Sequence, residues 1–321
     1  MFRSMDYIYE VYKERSFTTA AKNLYISQPA LSAAVKKTES KIGVELFDRS
    51  AAPIALTDAG RAYIEAAERI YAIQKDFLRE IGDLEESRTG TLTVSAATLI
   101  SSLLLPRIMM NYTKRYPGIR IEMTEGASAE LHERLLDGSI ELLLDYAFND
   151  RDYTAFPLLE ERILLAVPAS MAINDRFRDA SLTAADVRAG RHMEEDCPTV
   201  ELKAFEDEPF LRLKKGNDMY DRTAAILAET RTVPRQVFQL DQLMTGYHAV
   251  KAGMGVALVT DTLPRFNPDG GKVLFYKIAA DRTTRTLKLA CKRGSYVSRA
   301  AEAFILTAQE YCRGELFENM E

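Results

Sequence analysis

Apolar residues in the N-terminal segment recur every three or four positions, which is the spacing of one face of a helix. They predict a first helix over about residues 4–15, with the inward residues Met5, Ile8, Val11 and Tyr12. Thr18 carries a hydroxyl of the kind that caps helices, so a second helix is predicted from Thr19 to about Leu24. The small side chains of Ala20 and Ala21 would let another helix approach it closely.

A third helix is predicted between Ser27 and Gly43, because serine caps helices and glycine commonly ends them. Pro29 lies in its first turn, where the missing N–H costs nothing. The residues predicted to face inward are Leu31, Val35 and Ile42. Those predicted to face outward are Gln28, Ser32, Lys36 and Lys37.

Short helices followed by a small hairpin are the order of a winged helix-turn-helix, which places one helix in a groove of DNA. Glutamine and serine can read base edges there, whereas lysine mostly contacts phosphate. A plain three-helix packing unit, with its lysines merely solvated, is the alternative interpretation of the same pattern.

A longer amphipathic run begins at Asp58, where Thr57 and Asp58 provide an N-terminal cap. Its apolar residues are spaced by three and four positions and comprise Tyr63, Ala66, Ile70, Ile73, Phe77, Ile81 and Leu84. This spacing is typical of a helix packed on a partner helix, and an intramolecular amphipathic helix is the alternative. Residues 87–90 are predicted to form a hinge.

From residue 91 onwards, predicted strands alternate with predicted helices. The strands are expected at 91–96, 119–124, 140–146, 163–167, 210–213, 236–240, 256–259 and 274–278. This alternation predicts parallel sheet covered on both faces. The strands form two successive sets, which would make two lobes, and the last strand is expected to return to the first of them. Residues 172–206 are expected to form a lid, and an amphipathic helix is predicted from about residue 297 to 311.

The charge balance restricts how the chain could bind DNA. The net charge is −5, so the molecule as a whole repels nucleic acid and any affinity must come from a local basic surface. Residues 1–60 contain five Lys and three Arg against seven acids, a balance of +1. The sequence therefore argues against tight non-specific binding and leaves a focused contact open.

The run AAKNLYISQPALSAAVKKTESKIGVELFDRS, followed by LTDAG, closely resembles the N-terminal domain of LysR-type transcriptional regulators. The resemblance implies that DNA is contacted by Thr18, Gln28, Pro29, Ser32, Lys36 and Arg49. Ser27, Ala33 and Lys37 complete the predicted DNA-binding set. The sequence departs from the family pattern at Ala33, Ala34 and Thr38, and residues 50–53 at the wing lack the usual basic residue. Fewer phosphate contacts would weaken binding.

The resemblance also implies the architecture of the whole chain, which belongs to the α/β class. An α-rich winged helix-turn-helix at residues 1–60 is followed by a long linker helix at 58–88 and an effector-binding domain at 89–321. That domain resembles the two-lobed periplasmic solute-binding proteins. Lobe I is expected to comprise about 89–162 and 266–321, and lobe II about 163–265.

Ligands of such sheets bind outside the carboxyl ends of the strands, where helix N-termini favour a small anion. The residues predicted to bind the effector are Thr98, Ser101, Ser102, Ser128, Tyr146, Lys215, Tyr220 and Thr260. Hydroxyls near helix starts can equally be plain helix caps, and this alternative stays open for each of them.

Other chemistry has weak support in the sequence. His192, Cys197 and the acids at 194–196 have no metal-ligand spacing, so no metal and no cofactor are expected. Cys197 lacks a nearby resolving cysteine for a redox switch. The chain has three histidines and neither a GxSxG nor a P-loop motif, so catalysis is not expected. The lack of a signal-like segment or long apolar run predicts a soluble cytoplasmic protein with no membrane partner.

These features predict a DNA-binding transcriptional regulator whose activity depends on a small-molecule effector. The expected partners are a pseudo-palindromic double-stranded operator, the effector, a second copy in a homodimer or homotetramer, and RNA polymerase. An intracellular solute-binding module without DNA function is the alternative. The sequence leaves open the effector, the operator, and the choice between activation and repression.

Overall fold

The computed structural model describes residues 2–51, 53–84, 90–215, 218–267 and 270–318. The chain divides into two compact units, Met1–Glu80 and Ile81–Glu321. Ala52 of the predicted wing and residues 87–89 of the predicted hinge lie outside the described residues. The described part contains no helix that is long and apolar enough to cross a membrane.

Among its described residues, the first unit contains four helices and a two-stranded hairpin. Its helices are α1 Phe2–Glu14, α2 Phe17–Asn23, α3 Gln28–Ile42 and α4 Asp58–Leu84, and its antiparallel strands are β1 Phe47–Asp48 and β2 Ala55–Leu56. The core between them contains Ile8, Val11, Phe17, Ala20, Ala21, Leu31, Val35, Leu46, Phe47 and Ile64. The order is that of the predicted winged helix-turn-helix.

The helix boundaries confirm two predicted signals and correct two others. Ser27 caps α3, and Gly43 ends it in the left-handed conformation at φ 85°. The prediction that Thr18 caps α2 is wrong, because the helix begins at Phe17 and the Ser16 hydroxyl accepts the Thr19 N–H. Ile42 does not face inward either: it is 47% exposed, because the inward face of α3 ends at Glu39.

Two local features fix the start of α4. The Thr57 hydroxyl accepts the N–H of Gly60 at 2.9 Å, which confirms the predicted cap. Gly60 itself lies against the backbone of Leu46, where an added Cβ would come within 2.0 Å of the carbonyl oxygen. A glycine is therefore required where the long helix crosses the chain entering the hairpin.

The second unit contains ten strands and eight helices among its described residues. The strands are β3 Gly90–Ala97, β4 Ile119–Gly126, β5 Leu142–Asp145, β6 Tyr153–Pro168, β7 Thr199–Val200, β8 Pro209–Leu213, β9 Gln236–Leu240, β10 Val256–Thr260, β11 Val273–Ile278 and β12 Thr284–Lys292. The helices are α5 Thr98–Leu103, α6 Leu105–Arg115, α7 Ser128–Leu136, α8 Ala184–Arg188, α9 Asp218–Glu229, α10 Leu243–Lys251, α11 Thr262–Phe266 and α12 Arg299–Glu318.

The long strand β6 passes through both lobes and joins their sheets. Lobe I has the strand order β4-β3-β5-β12-β6, and lobe II continues from β6 through β10 and β8 to β9. The predicted parallel pairing is confirmed for β3 with β4 and β5, and for β8 with β9 and β10. The pairs that involve β6 are antiparallel, so each sheet is mixed.

Strand β11 does not return the chain to lobe I as predicted. It pairs with residues 164–168 of β6 and with β7, and so completes lobe II. The return is made by β12, which pairs with β5 and with the first half of β6. The predicted C-terminal helix is confirmed as α12, whose residues Phe304, Ile305 and Ala308 pack into the lobe I core.

Residues 172–206 belong to the core of lobe II, so the predicted lid is wrong. The segment contains 3-10 turns and the short helix α8, and it buries seven side chains in that core: Leu182, Ala184, Val187, Cys197, Val200, Leu202 and Phe205. Leu182 also bridges to Phe275 of β11 through two backbone hydrogen bonds. The segment is held by the apolar surface that it covers.

Candidate nucleic-acid interface and interlobe cluster

One face of α3 is buried, and the opposite face is open to solvent. Leu31 and Val35 are fully buried, because they pack between the other helices of the first unit. The predicted contact residues of α3 and its cap lie on the other side: Ser27, Gln28, Pro29, Ala33, Lys36 and Lys37 are exposed and Ser32 is half-buried. Gln28 Nε2 donates to the Ser32 hydroxyl at 3.0 Å, which pairs the two residues predicted to read bases. Thr18 is exposed on α2.

The wing strand is tied to α3 through Glu39. This carboxylate is buried, accepts the N–H of Leu46 at 2.9 Å and pairs with the Arg49 guanidinium at 2.9 Å. The Arg49 guanidinium also lies over the ring of Phe17, 5.2 Å from its centroid. Arg49 is thus held in a fixed position while its side chain stays 42% exposed. Glu39 lies within the run that resembles the LysR-type domain, but it was not among the predicted site residues.

The last residue of β1 is an acid, which lies next to Arg49 in the sequence. Asp48 accepts the hydroxyl of Ser50 at 2.6 Å and its N–H at 2.9 Å. These hydrogen bonds lower the pKa of Asp48. The ionised carboxylate adds negative charge beside the wing, where it opposes the approach of a phosphate backbone.

Three of the predicted effector residues lie where β3 enters α5. Thr98 is exposed at the first position of α5. Ser101 is buried and donates its hydroxyl to the Ala96 carbonyl at 2.9 Å, whereas the exposed Ser102 donates to the Leu99 carbonyl at 2.9 Å. Both serine hydroxyls therefore already have an acceptor within the local backbone.

Ser128 belongs to a polar cluster around Asp145, at the end of β5. The buried Asp145 carboxylate accepts the Ser128 hydroxyl and lies 3.1 Å from His132 Nε2. The other ring nitrogen of His132 lies 2.8 Å from the Tyr153 hydroxyl. Burial alone would raise the pKa of Asp145, but the hydrogen bonds from His132, Ser128 and the Tyr146 N–H lower it overall.

The region between the lobes contains a buried guanidinium with carboxylate and aromatic neighbours. We call Tyr146, Glu161, Asp218, Thr262 and Arg285 the interlobe cluster. Arg285 Nε donates to Glu161 at 2.8 Å, and its Nη1 donates to Asp218 at 2.5 Å. The ring of Tyr146 stacks on the guanidinium, with its centroid 3.6 Å from Arg285 Cζ. The Thr262 hydroxyl donates to the second oxygen of Glu161.

The charge of Arg285 is strongly favoured although its side chain is only 2% exposed. Burial disfavours the cation, but Tyr146, Glu161 and Asp218 outweigh that effect, and the pKa of Arg285 is raised above its ordinary value. Burial also raises the pKa of Tyr146 well above its ordinary value, so the ring bears a neutral hydroxyl. The cluster is therefore a permanent buried cation between anionic partners.

Two family models together match most of the chain. Residues 2–61 match the bacterial regulatory helix-turn-helix protein of the lysR family, and residues 85–313 match the LysR substrate binding domain. The chain belongs to the LysR family. It is a DNA-binding transcriptional regulator with an effector-binding domain, which confirms the predicted family, fold class and function.

Other LysR-family proteins are similar over nearly their whole length. The uncharacterised HTH-type transcriptional regulator YcgK of Bacillus subtilis is 29% identical, over 98% of this chain and 98% of its own. Full-length OxyR from Pseudomonas aeruginosa superposes with a TM-score of 0.68 at 22% identity, covering 96% of this chain and 94% of its own. CbnR in complex with its target DNA gives a TM-score of 0.62 at 20% identity, with coverages of 97% and 99%.

The remaining predicted effector residues of this LysR-family chain lie in lobe II and differ in accessibility. Lys215 is exposed, whereas Tyr220 is half-buried beneath the guanidinium of Arg212, 4.8 Å from the ring centroid. Thr260 is fully buried, and its hydroxyl has no hydrogen-bond partner among the described residues. All three stay predictions as effector contacts.

The His and Cys candidates of lobe II are part of its packing. His192 Nε2 lies 2.8 Å from the Asp261 carboxylate, which also pairs with Arg265 at 2.9 Å. No group of His, Cys, Asp or Glu that could hold a metal occurs among the residues that the structure describes. Burial raises the pKa of Cys197, which disfavours the reactive thiolate.

Proposed function

We propose that this LysR-family regulator binds a pseudo-palindromic operator as a homodimer in the cytoplasm. We propose further that a small acid bound between the two lobes modulates this binding, and that the chain catalyses no reaction. The observation that carries the proposal is the exposed outer face of α3, where Gln28 and Ser32 meet beside Lys36 and Lys37. RNA polymerase stays a predicted partner.

The proposed DNA contacts divide by chemistry. Gln28 and Ser32 would read base edges in the major groove, while Lys36, Lys37 and Arg49 would contact phosphates. Thr18, Ser27 and Pro29 would fit the turn against the backbone of the DNA, and Ala33 offers only an apolar contact. The balance of +1 in residues 1–60 makes a single copy a weak binder, so two copies are needed.

Dimerisation through α4 is supported by its exposed apolar residues. The seam predicted from the sequence includes Ile73, Phe77 and Ile81, whose exposed fractions are 69%, 57% and 40%. Large apolar side chains at this spacing on one helix are buried by a second helix of the same kind. Tyr63, Ala66 and Ile70 are partly covered within the first unit, so we propose that the C-terminal half of α4 makes the main contact.

The effector is proposed to bind at the carboxyl ends of the strands between the lobes. Support comes from Thr98 and Lys215, which are exposed at that edge, and from the buried cation Arg285. A hydroxyl and two cations suit an anionic ligand. Ser101, Ser102 and Ser128 already donate their hydroxyls within the protein, so an effector would contact them only through the oxygen lone pairs.

The proposal is tested by selecting genomic fragments that the full chain retains, and then measuring fluorescence anisotropy on them. Metabolic acids and their neutral amides are added to the complex in turn. We expect binding that weakens with salt, and at least one acid that changes the affinity while its amide does not. Failure to retain any fragment in a salt-dependent manner would contradict the DNA-binding part, and an equal response to acids and amides would contradict the anionic effector.

A further inference from the structure

The link between Arg285 and Asp218 crosses from one lobe to the other. Arg285 lies at the start of β12 in lobe I, opposite Glu161 in the register of the two strands. Asp218 is the first residue of α9 in lobe II. Because the pair joins the two lobes, the carboxylate on Arg285 affects how the lobes are held together.

The two carboxylates that contact Arg285 are held very differently. The Glu161 side chain is 2% exposed, and its two oxygens are taken by Arg285 and by the Thr262 hydroxyl. The Asp218 side chain is 37% exposed, and its Oδ2 also lies 3.4 Å from Arg222 Nε. Asp218 can therefore leave Arg285 and keep a cationic partner, whereas Glu161 cannot.

We infer that Asp218 is a built-in carboxylate that competes with the effector for Arg285, and that the effector is a small carboxylic acid. This inference rests on the proposed effector site between the lobes and specifies its chemistry. The acid group takes the place of Asp218 on the Nη1 side of the guanidinium, and Asp218 moves to Arg222. Tyr146 continues to cover the face of the guanidinium.

Charge balance explains why a carboxylate is the ligand that fits. Replacing one carboxylate with another keeps the buried cation Arg285 paired, and the displaced Asp218 carboxylate stays beside Arg222. A neutral amide or alcohol would leave Arg285 with Glu161 as its only anionic contact, and a cationic ligand would add repulsion. The fork of N–H groups on arginine also matches the two oxygens of a carboxylate.

The exchange would also change how α9 is attached to lobe I. The Asp218 contact is one of several along this helix: Arg222 donates to the Thr284 carbonyl at 3.4 Å, and Glu229 accepts the N–H of Asp281 at 2.6 Å. Losing the contact between Asp218 and Arg285 frees the N-terminal turn of α9, while its C-terminal end stays anchored through Glu229. Effector binding would thus be converted into a shift of lobe II against β12.

Acetate is a suitable probe, because it is the side chain of aspartate without its backbone. Isothermal titration of the full chain compares acetate with acetamide at constant ionic strength, for the native chain and for Asp218→Ala. The variant has no competing carboxylate, so we expect acetate to bind at least about tenfold more tightly than to the native chain. Acetamide should bind neither form measurably.

Three further variants make the result decisive. Asp221→Ala removes an exposed acid of the same helix and should leave acetate binding as in the native chain. Asp218→Asn keeps the shape of the side chain and removes its charge, so it should also tighten acetate binding. It replaces the alanine variant if that variant does not fold. Adding Glu161→Gln and Arg285→Gln to Asp218→Ala removes the cation together with its buried partner, and this should abolish the gain.

The inference is overturned if acetate binds the Asp218 variants no more tightly than it binds the native chain. It is also overturned if the gain persists without Arg285. Failure of the proposed function has a different signature, because it would be seen as absence of operator binding or of any effector response on DNA. Acetate titration does not depend on DNA, so the two failures are distinguishable.

Discussion

Glu39 is the residue through which the reading helix and the wing act together. It sits in α3 at the end of the buried face, only 6% exposed, and both of its oxygens are used. One oxygen accepts the Leu46 N–H where the chain enters the hairpin, and the other holds Arg49. A buried carboxylate in this position is costly unless both bonds are made, so its role is to fix the wing rather than to bind DNA.

Changing Glu39→Gln should loosen the hairpin, because a neutral amide cannot replace the charge-assisted bond to Arg49. We expect a loss of about 1 to 3 kcal/mol in local stability, which is about fivefold to 150-fold faster amide exchange. Hydrogen–deuterium exchange over residues 44–50 of the full chain measures it. Glu45→Gln, an exposed neighbour, serves as the control, and equal protection in both variants would contradict the role of Glu39.

Asp145 should make the effector domain sensitive to acid. Its pKa is lowered in the folded chain, so it stabilises the fold above its unfolded pKa of about 3.9 and loses that contribution as the pH falls further. Asp145→Asn should therefore be less stable than the native chain at pH 7, with a gap that narrows below about pH 4. Urea unfolding followed by circular dichroism measures the gap, and a gap independent of pH would contradict the account. Exposed Asp150→Asn is the control.

At the scale of elements, α4 changes character along its length. Ile64, Ala67 and Ala72 are buried against the first unit, while Ile73, Phe77 and Leu78 are exposed. The exposed large apolar side chains of α4 thus begin at Ile73, in the second half of the helix. This division explains why the sequence pattern alone allowed both an intramolecular helix and a paired one. The first half of α4 packs within its own chain, and the exposed second half suits pairing with a partner helix.

Phe77→Glu should dissociate the proposed dimer, because it would place two carboxylates in an apolar seam. Losing two buried phenylalanines at about 1.5 to 3 kcal/mol each raises the dissociation constant at least about hundredfold. Sedimentation velocity across a concentration series measures this. Glu65→Lys, an exposed change outside the seam, should leave the dimer intact. Equal sedimentation of both variants and the native chain would contradict a seam on α4.

The sequence predicted elements well where local signals define them. Caps and periodicity were sufficient for α3, α4 and α12, because each signal lies within or next to the element itself. Strand β12 was missed because it buries the charged Arg285, and its burial depends on pairing with β5 and β6. Residues 172–206 were misjudged because their helices and 3-10 turns are too short to show a period, so the apolar residues that enter the lobe II core showed no pattern.

The outer face of α3 and the interlobe cluster also differ in how far the sequence alone predicts them. The outer face of α3 could be predicted, since exposure on a short capped helix follows from spacing alone. The interlobe cluster could not, because Arg285 lies 124 positions from Glu161 and 67 from Asp218 along the chain. No local pattern distinguishes a buried arginine in a strand from one on the surface. Only the crossing strands bring these residues together.

For the whole molecule, the charges constrain how a regulator of this kind can bind DNA. The chain carries a net charge of −5, and residues 1–60 contribute only eight cations against seven acids. Specific affinity then depends on a few correctly placed side chains and on pairing two copies. An effector that alters the lobes needs to change the binding free energy by only about 1 to 3 kcal/mol to regulate such a complex.

The most direct test of the account is the salt dependence of operator binding, measured by anisotropy for the native chain and for Gln28→Ala. The native chain should bind as two copies per fragment, with an affinity that falls steeply and linearly on a logarithmic salt scale. Gln28→Ala should lose about 1 to 3 kcal/mol on the operator, while its affinity for unrelated DNA and its salt slope stay unchanged. Equal binding of operator and unrelated DNA by the native chain, or an unaffected variant, would contradict reading by α3.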